Sequence, residues 1–237
     1  MRFAFPPLTP VVRIALIVLF VSFVLQSLVE GALAYPVYGF VGLHYELAPG
    51  LAWQWATYPL IEIPSDGMVF GRALSLLMLY LWIAPFELEF GPRNTTTLLI
   101  VSVVGGALLP LLFGFAVPSL SLPYAGASVL FWGGIGALVI RANGEPLNLF
   151  LLPPMSAWAF VGIFLLFDAL QCAWMRTPTP LLASVGALGA GYAFTRWLRD
   201  RPSPSPKGPG RKRRASGARL SVIQGGRDDD DKPRYLN

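Results

Sequence analysis

Long apolar runs, separated by short polar breaks, fill the first 198 residues of the chain. A helix needs about 20 mostly apolar residues to cross a bilayer. Six runs approach that length: 14–34, 69–86, 96–117, 125–140, 148–168 and 180–198. The pattern predicts an all-α membrane protein with six transmembrane helices. The second and fourth runs are short, so either neighbouring polar residues extend them or they are central helices shielded by the others. The first run is long enough to span and has no clear processing site after it, which reads as a span rather than a cleaved signal. Residues 35–68, between the first two runs, carry Tyr35, Tyr38, Tyr45, Trp53, Trp55 and Tyr58. Aromatic side chains favour the headgroup layer, so this segment is expected to lie partly embedded there.

Composition agrees with the pattern. The chain is 54% hydrophobic and 13% charged, against about 25% charged for soluble domains. Of its 18 basic residues only Arg2, Arg13, Arg72, Arg93, Arg141, Arg176 and Arg196 precede position 199. The net charge of +5 therefore belongs to a tail and is no argument for nucleic-acid binding. Loop arginines set orientation. Arg2, Arg13, Arg93, Arg141, Arg196, Arg199 and Arg201 all fall on one side if both termini are cytoplasmic, leaving Arg72 and Arg176 on the other. The expected layout is a domain over residues 1–198 in the cell membrane and a disordered basic cytoplasmic tail over 199–237. The cluster Arg211-Lys212-Arg213-Arg214 would sit near anionic lipids, each charge contributing about 1 kcal/mol close to the surface. The stretch Asp228 to Lys232 is given no role. The single cysteine, Cys172, cannot form an intrachain disulfide.

Candidate chemistry begins with Gly126-Ala127-Ser128, a serine at the start of the fourth run behind small residues. Small residues also let membrane helices approach closely. Gly133 and Ala137 share one helix face, as do Gly186 and Ala190, and Ala187 and Gly191, so runs four and six are expected to pack together. Asp168 is the ionisable residue placed in a run near the outer side, at the end of run five. It is read as solvated or hydrogen-bonded, with a functional role in reserve because ionisable groups in membrane helices are functional candidates. Glu87 and Glu89, with Arg93 nearby, fit an interfacial salt bridge or a hydrogen-bonded cap. No metal-ligand cluster, phosphate-binding loop or thiol chemistry is visible, so no cofactor or metal is expected.

Several segments, in order, resemble the rhomboid family of intramembrane serine proteases (peptidase S54-like). Trp53-Gln54-Trp55-Ala56-Thr57-Tyr58 resembles the family's W-Q-x-x-T-Y stretch. Glu87-Leu88-Glu89-Phe90-Gly91 resembles its E-x-x-x-G, and Gly126-Ala127-Ser128 its G-x-S. Gly133 and Gly136, Pro153-Pro154-Met155, and Gly186, Ala187, Ala190 and Gly191 continue the likeness, which covers about residues 10–200. The resemblance implies a multi-pass six-helix bundle, a nucleophile at Ser128, a histidine base on span six and oxyanion donors from span two.

The chain departs from that pattern. Aligning span six on Gly191 puts Ser184 at the base position, and aligning it on Gly186 puts Ala183 there. Ser75 stands where the family usually has asparagine, Gly71 where it often has histidine, and Val129 where it commonly has glycine. A serine hydroxyl needs a base within roughly 2.6–3.2 Å or one water away, and span six offers none. Losing one oxyanion donor costs about 10²–10³ in rate, although Ser75 retains a hydroxyl. The one histidine, His44, lies in the outer loop and is a remote alternative base. The expected function is that of a pseudoprotease, a serine protease homologue that binds transmembrane segments of client proteins. The alternatives are an active endopeptidase using Ser128 with an atypical base, and a small transporter. The last is disfavoured by the lack of charge deep in the spans.

Overall fold

The computed structural model describes residues 6–44, 52–64, 68–118, 123–147 and 154–201. Arg2, part of the predicted fifth run and the basic tail with Asp228–Lys232 lie outside the described residues. The elements are α1 (Pro10–Ala32), the short α2 (Val37–Val41) and α3 (Gln54–Thr57), and the long α4 (Met68–Ala116), α5 (Ser128–Ala142), α6 (Ala157–Met175) and α7 (Thr179–Asp200). A 3₁₀ turn, Tyr58–Leu60, follows α3. Among the described residues, β pairing is confined to two isolated bridges, Leu43 with Tyr124 and Leu147 with Met155.

The second and third predicted runs form one helical stretch, α4, divided at Gly91. Gly91 has φ 80° and ψ 168°, a backbone conformation that glycine adopts without a Cβ penalty. Pro92 then opens the second limb, where its missing N–H costs nothing. The first limb runs through Glu87 to Phe90, so polar neighbours extend this short run. The fifth run is displaced. Its helix starts at Ala157 rather than 148, because Ser156 caps it by accepting from the Ala159 amide at 3.1 Å. It continues to Met175, which places Asp168 within α6 rather than at its end.

The α5 helix has 15 residues, about 22 Å at 1.5 Å per residue. It is short because it is central. Val129, Trp132, Gly133, Ile135, Ala137 and Val139 are buried between its neighbours. The predicted contact between runs four and six is present as α5 against α7. A methyl group on Gly191 would run into the carbonyl of Gly133, and one on Gly136 into that of Leu188. The second small-residue face of α7 goes elsewhere. Gly186 and Ala190 lie on Gly105, in the second limb of α4. The α7 helix is thus held backbone-close on two sides, as small residues allow.

The outer helices carry the opposite pattern. Ile14, Phe20 and Leu25 on α1, and Ile163, Phe167 and Trp174 on α6, are exposed. Pro10–Ala32, Val69–Ala116 and Ala157–Met175 are long and apolar enough to cross a membrane, and Ser128–Ala142 is apolar but shorter. The fold is that of an all-α membrane protein.

The acidic pair of the E-x-x-x-G stretch fastens one end of the bundle. Glu87 is buried and accepts from the Thr9 hydroxyl at 2.6 Å and the amides of Val11 and Val12 at 2.9 and 3.1 Å. It therefore caps the first turn of α1, where unpaired amides favour negative charge. Glu89 pairs with Arg141 at 2.6 Å. Arg199 donates to the Ile140 carbonyl and the Asn143 side chain, both at 2.9 Å.

Candidate functional site

The serine of interest stands at the other end, and a folded loop positions it. Gln54 accepts from the His44 amide at 3.1 Å and donates to the Phe40 carbonyl at 3.2 Å. Thr57 donates to the Val41 carbonyl at 3.1 Å. Tyr58 is buried, donates to the Val103 carbonyl at 2.6 Å and accepts from the Gly126 amide through its own carbonyl at 3.1 Å. The polar members of the W-Q-x-x-T-Y stretch thus satisfy loop backbone and fix the approach to Ser128. The paired amides and carbonyls of Leu43 and Tyr124 add a second tie. Gly126 has φ 149°, and a Cβ there would sit 3.5 Å from Glu62 Oε2, 3.6 Å from Ser128 Oγ and 3.7 Å from the Tyr124 hydroxyl. A side chain here would be strained by the backbone conformation rather than by its neighbours, which stand at ordinary contact distance.

A cavity of about 290 Å³ lies over these groups, lined by Ser75, Ser128, Asp168, Ser184, Glu62 and Tyr124 among others. Three of the four sequence-selected residues therefore share one space. Ser128 stands at the first turn of α5, its hydroxyl 2.8 Å from that of Tyr124. Ser184, on α7, donates to the Asp168 carboxylate on α6. Ser75, on the first limb of α4, is buried. Of the two registers for α7, the one on Gly191 brings a side chain into the cavity: Ser184 lines it, whereas Ala183 is buried and is not among the lining residues. His44 is not among them either. Its Nδ1 lies 2.9 Å from the Gly42 carbonyl, and its ring tilts against Tyr38 with centroids 6.2 Å apart.

Two participants were missed in the sequence, along with one bond of a third. Tyr124 precedes Ser128 by four residues, a spacing that could have flagged a one-turn neighbour. Nothing in the local sequence marks Glu62, whose partners come from three other segments. Its carboxylate lies 3.3 Å from Arg72 Nε and 3.5 Å from the Ala127 amide, and its amide donates to Gln26 Oε1 at 2.9 Å. Asp168 was noted, but not its bond to Ser184.

Burial raises the Glu62 pKa above its ordinary 4.5, and the Arg72 charge and Ala127 amide only partly oppose this. Burial likewise pushes the Tyr124 phenol well above its ordinary 10.0, against the lowering effect of the Ser128 bond. A phenol held neutral cannot take a proton from a neighbouring hydroxyl at neutral pH. Among the described residues no group of three His, Cys, Asp or Glu side chains could hold a metal. The arrangement offers hydroxyls and carboxyls as hydrogen-bonding groups around a serine whose partner among the described residues is the Tyr124 hydroxyl.

A family model described as the Rhomboid domain matches residues 50–201. No curated protein matches the chain.

Proposed function

The chain belongs to the rhomboid family, and from that premise we propose that it is a catalytically silent member that binds transmembrane segments of client proteins. The observation that carries this reading is the pairing at the nucleophile position. Ser128 meets the neutral hydroxyl of Tyr124, and the α7 position that would supply a base supplies Ser184, already bonded to Asp168. Serine activation requires an adjacent acceptor of suitable basicity, and Tyr124 is not one. Glu62 also lies beside the Ala127 amide at the start of α5, where a negative oxygen would oppose a developing oxyanion.

Client binding is supported by the opening between the first limb of α4 and α6. Near one end these helices touch through Trp82 and Phe160, ring centroids 5.1 Å apart. Toward the other end Gly71 and Ser75 line the cavity from α4, and Asp168 and Gln171 from α6. Gly71 and Gln171 are both exposed, so the space is open between these two helices. In this reading the two limbs of α4 cross separately and six spans leave both termini in the cytoplasm of a cell whose plasma membrane holds the protein. Beneath the cavity Leu79, Ile83 and Ile135 are fully buried, which argues against a polar path for a transported solute.

The competing reading, an active endopeptidase, draws on one observation: Asp168 lines the same cavity as Ser128. It requires Asp168 to leave Ser184 and reach Ser128. Treating the purified protein with a fluorophosphonate probe separates the two. We expect wild type to label no more than Ser128→Ala. Strong labelling that disappears in Ser128→Ala would overturn the silent reading.

A further inference from the structure

The cavity contains one acidic side chain that no cation answers. Glu62 has Arg72 beside it at 3.3 Å. Asp168 accepts from Ser184, with the Trp132 indole also near it. Among the described residues the ion pairs are Arg72–Glu62, Arg141–Glu89 and Arg196–Asp200, none of them involving Asp168. A carboxylate inside an apolar bundle is costly without a partner.

A second observation points into the same space. Ser75 is 8% exposed and lines the cavity from the facing helix, yet its hydroxyl meets no hydrogen-bond partner among the described residues. The hydroxyl faces the open space of the cavity and is free to pair with a group bound there. Ser75 can offer lone pairs toward a bound group, as can Asp168 and the amide oxygen of Gln171. Such a set suits a ligand that carries several donors and positive charge. An ammonium has three donors and no acceptor. An anion would meet two carboxyl groups. Ile63, Met175 and Pro180 complete the lining with apolar surface, which fits an alkyl stem behind a charged head.

We propose that the cavity is a binding site for an alkylammonium group, with Asp168 as counter-ion and Ser75 as a second acceptor. The group arrives from the lipid side between Gly71 and Gln171. It is either a lysine side chain on a client transmembrane segment or the headgroup of an aminolipid. The lysine source rests on the client-binding reading; the site itself does not.

The full chain, in phosphatidylcholine nanodiscs, is titrated with a pyrene-labelled alkylamine and with its N-acetylated, uncharged counterpart. We expect the amine to bind about tenfold more tightly, as charge-assisted hydrogen bonds would give. Asp168→Asn should abolish the preference while keeping the side chain's shape, and Ser75→Ala should reduce it severalfold. The Ser75 variant reads the site even if the Asp168 variant fails to fold. Equal affinity of amine and amide for wild type overturns the proposal, as does a preference that survives both substitutions.

Competition then identifies the source. A single-pass peptide with one outer-half lysine should displace the amine, and its lysine-to-leucine version should not. If phosphatidylethanolamine displaces the amine and neither peptide does, the site stands with a lipid ligand and the client reading falls. If both peptides bind equally well and the amine shows no preference over the amide, client binding stands and the cation site falls.

Discussion

The hydroxyls of Tyr124 and Ser128 lie 2.8 Å apart, joined by one tight turn of chain at the start of α5. That pairing gives the serine a partner without giving it a base. In the proposed reading it also makes the silence of Ser128 a matter of geometry that substitution can alter.

If Ser184 occupies the base position, an imidazole there should partly restore reactivity. Ser184→His is expected to give slow, Ser128-dependent labelling by fluorophosphonate. Ala183→His, which starts from a buried position outside the cavity lining, is not. Labelling by the second variant and not the first would assign the other register of α7.

The close approach of α5 and α7 predicts sharp contrast between neighbouring glycines. Gly191→Ala drives a methyl into the Gly133 backbone, and backbone cannot yield as a side chain can. A loss of about 1–3 kcal/mol is expected from overpacking. Gly189→Ala meets nothing within 4 Å and should be neutral or stabilising by up to about 1 kcal/mol, since alanine is the better helix former. Thermal unfolding of both variants in the same detergent checks the difference.

Glu87 should matter to stability and not to the cavity. Its three hydrogen bonds hold the first turn of α1. Glu87→Ala is expected to cost about 1–3 kcal/mol, because it removes a cap and leaves buried donors unpaired. Glu87→Gln, which keeps one acceptor, should cost less. Unfolding midpoints measure this, and unchanged alkylamine affinity in the folded fraction would show that the effect stays at that end of the bundle.

The raised pKa of Glu62 gives a pH dependence of definite sign. Burial favours its protonated form in the folded state, lifting the pKa above 4.5. The folded state then holds the proton more tightly than the unfolded state. The stability this group contributes is full below pH 4.5 and is lost as pH rises through the folded pKa. Glu62→Gln, which stays neutral, should remove that part of the decline. Unfolding midpoints measured across this range for wild type and variant test it; parallel curves would show that Glu62 titrates as it does in the unfolded chain.

The run of apolar segments, the breaks at Gly91-Pro92 and the small-residue faces were legible in the linear sequence, because helix periodicity and glycine chemistry are local. So were the residues of the cavity that carry a motif, Ser128 and the positions of Ser75 and Ser184 counted from Glu87 and Gly191. Local pattern misplaced the fifth helix, since a long apolar stretch does not show where its cap lies, and Ser156 moved the start to Ala157. Only the tertiary structure decided which side chains share a space. Glu62, Tyr124 and Asp168 are separated by long stretches of chain and converge because the loops leading into α4 and α5 meet the body of α6 at one cavity. Likewise only packing sent Gly186 to Gly105 and Gly191 to Gly133. By itself the sequence determined that this is a membrane-embedded rhomboid-family chain without a histidine on its last helix. The fold decided what stands in its place: a serine bonded to a half-buried carboxylate, a pairing set by the packing of two helices that no local pattern records.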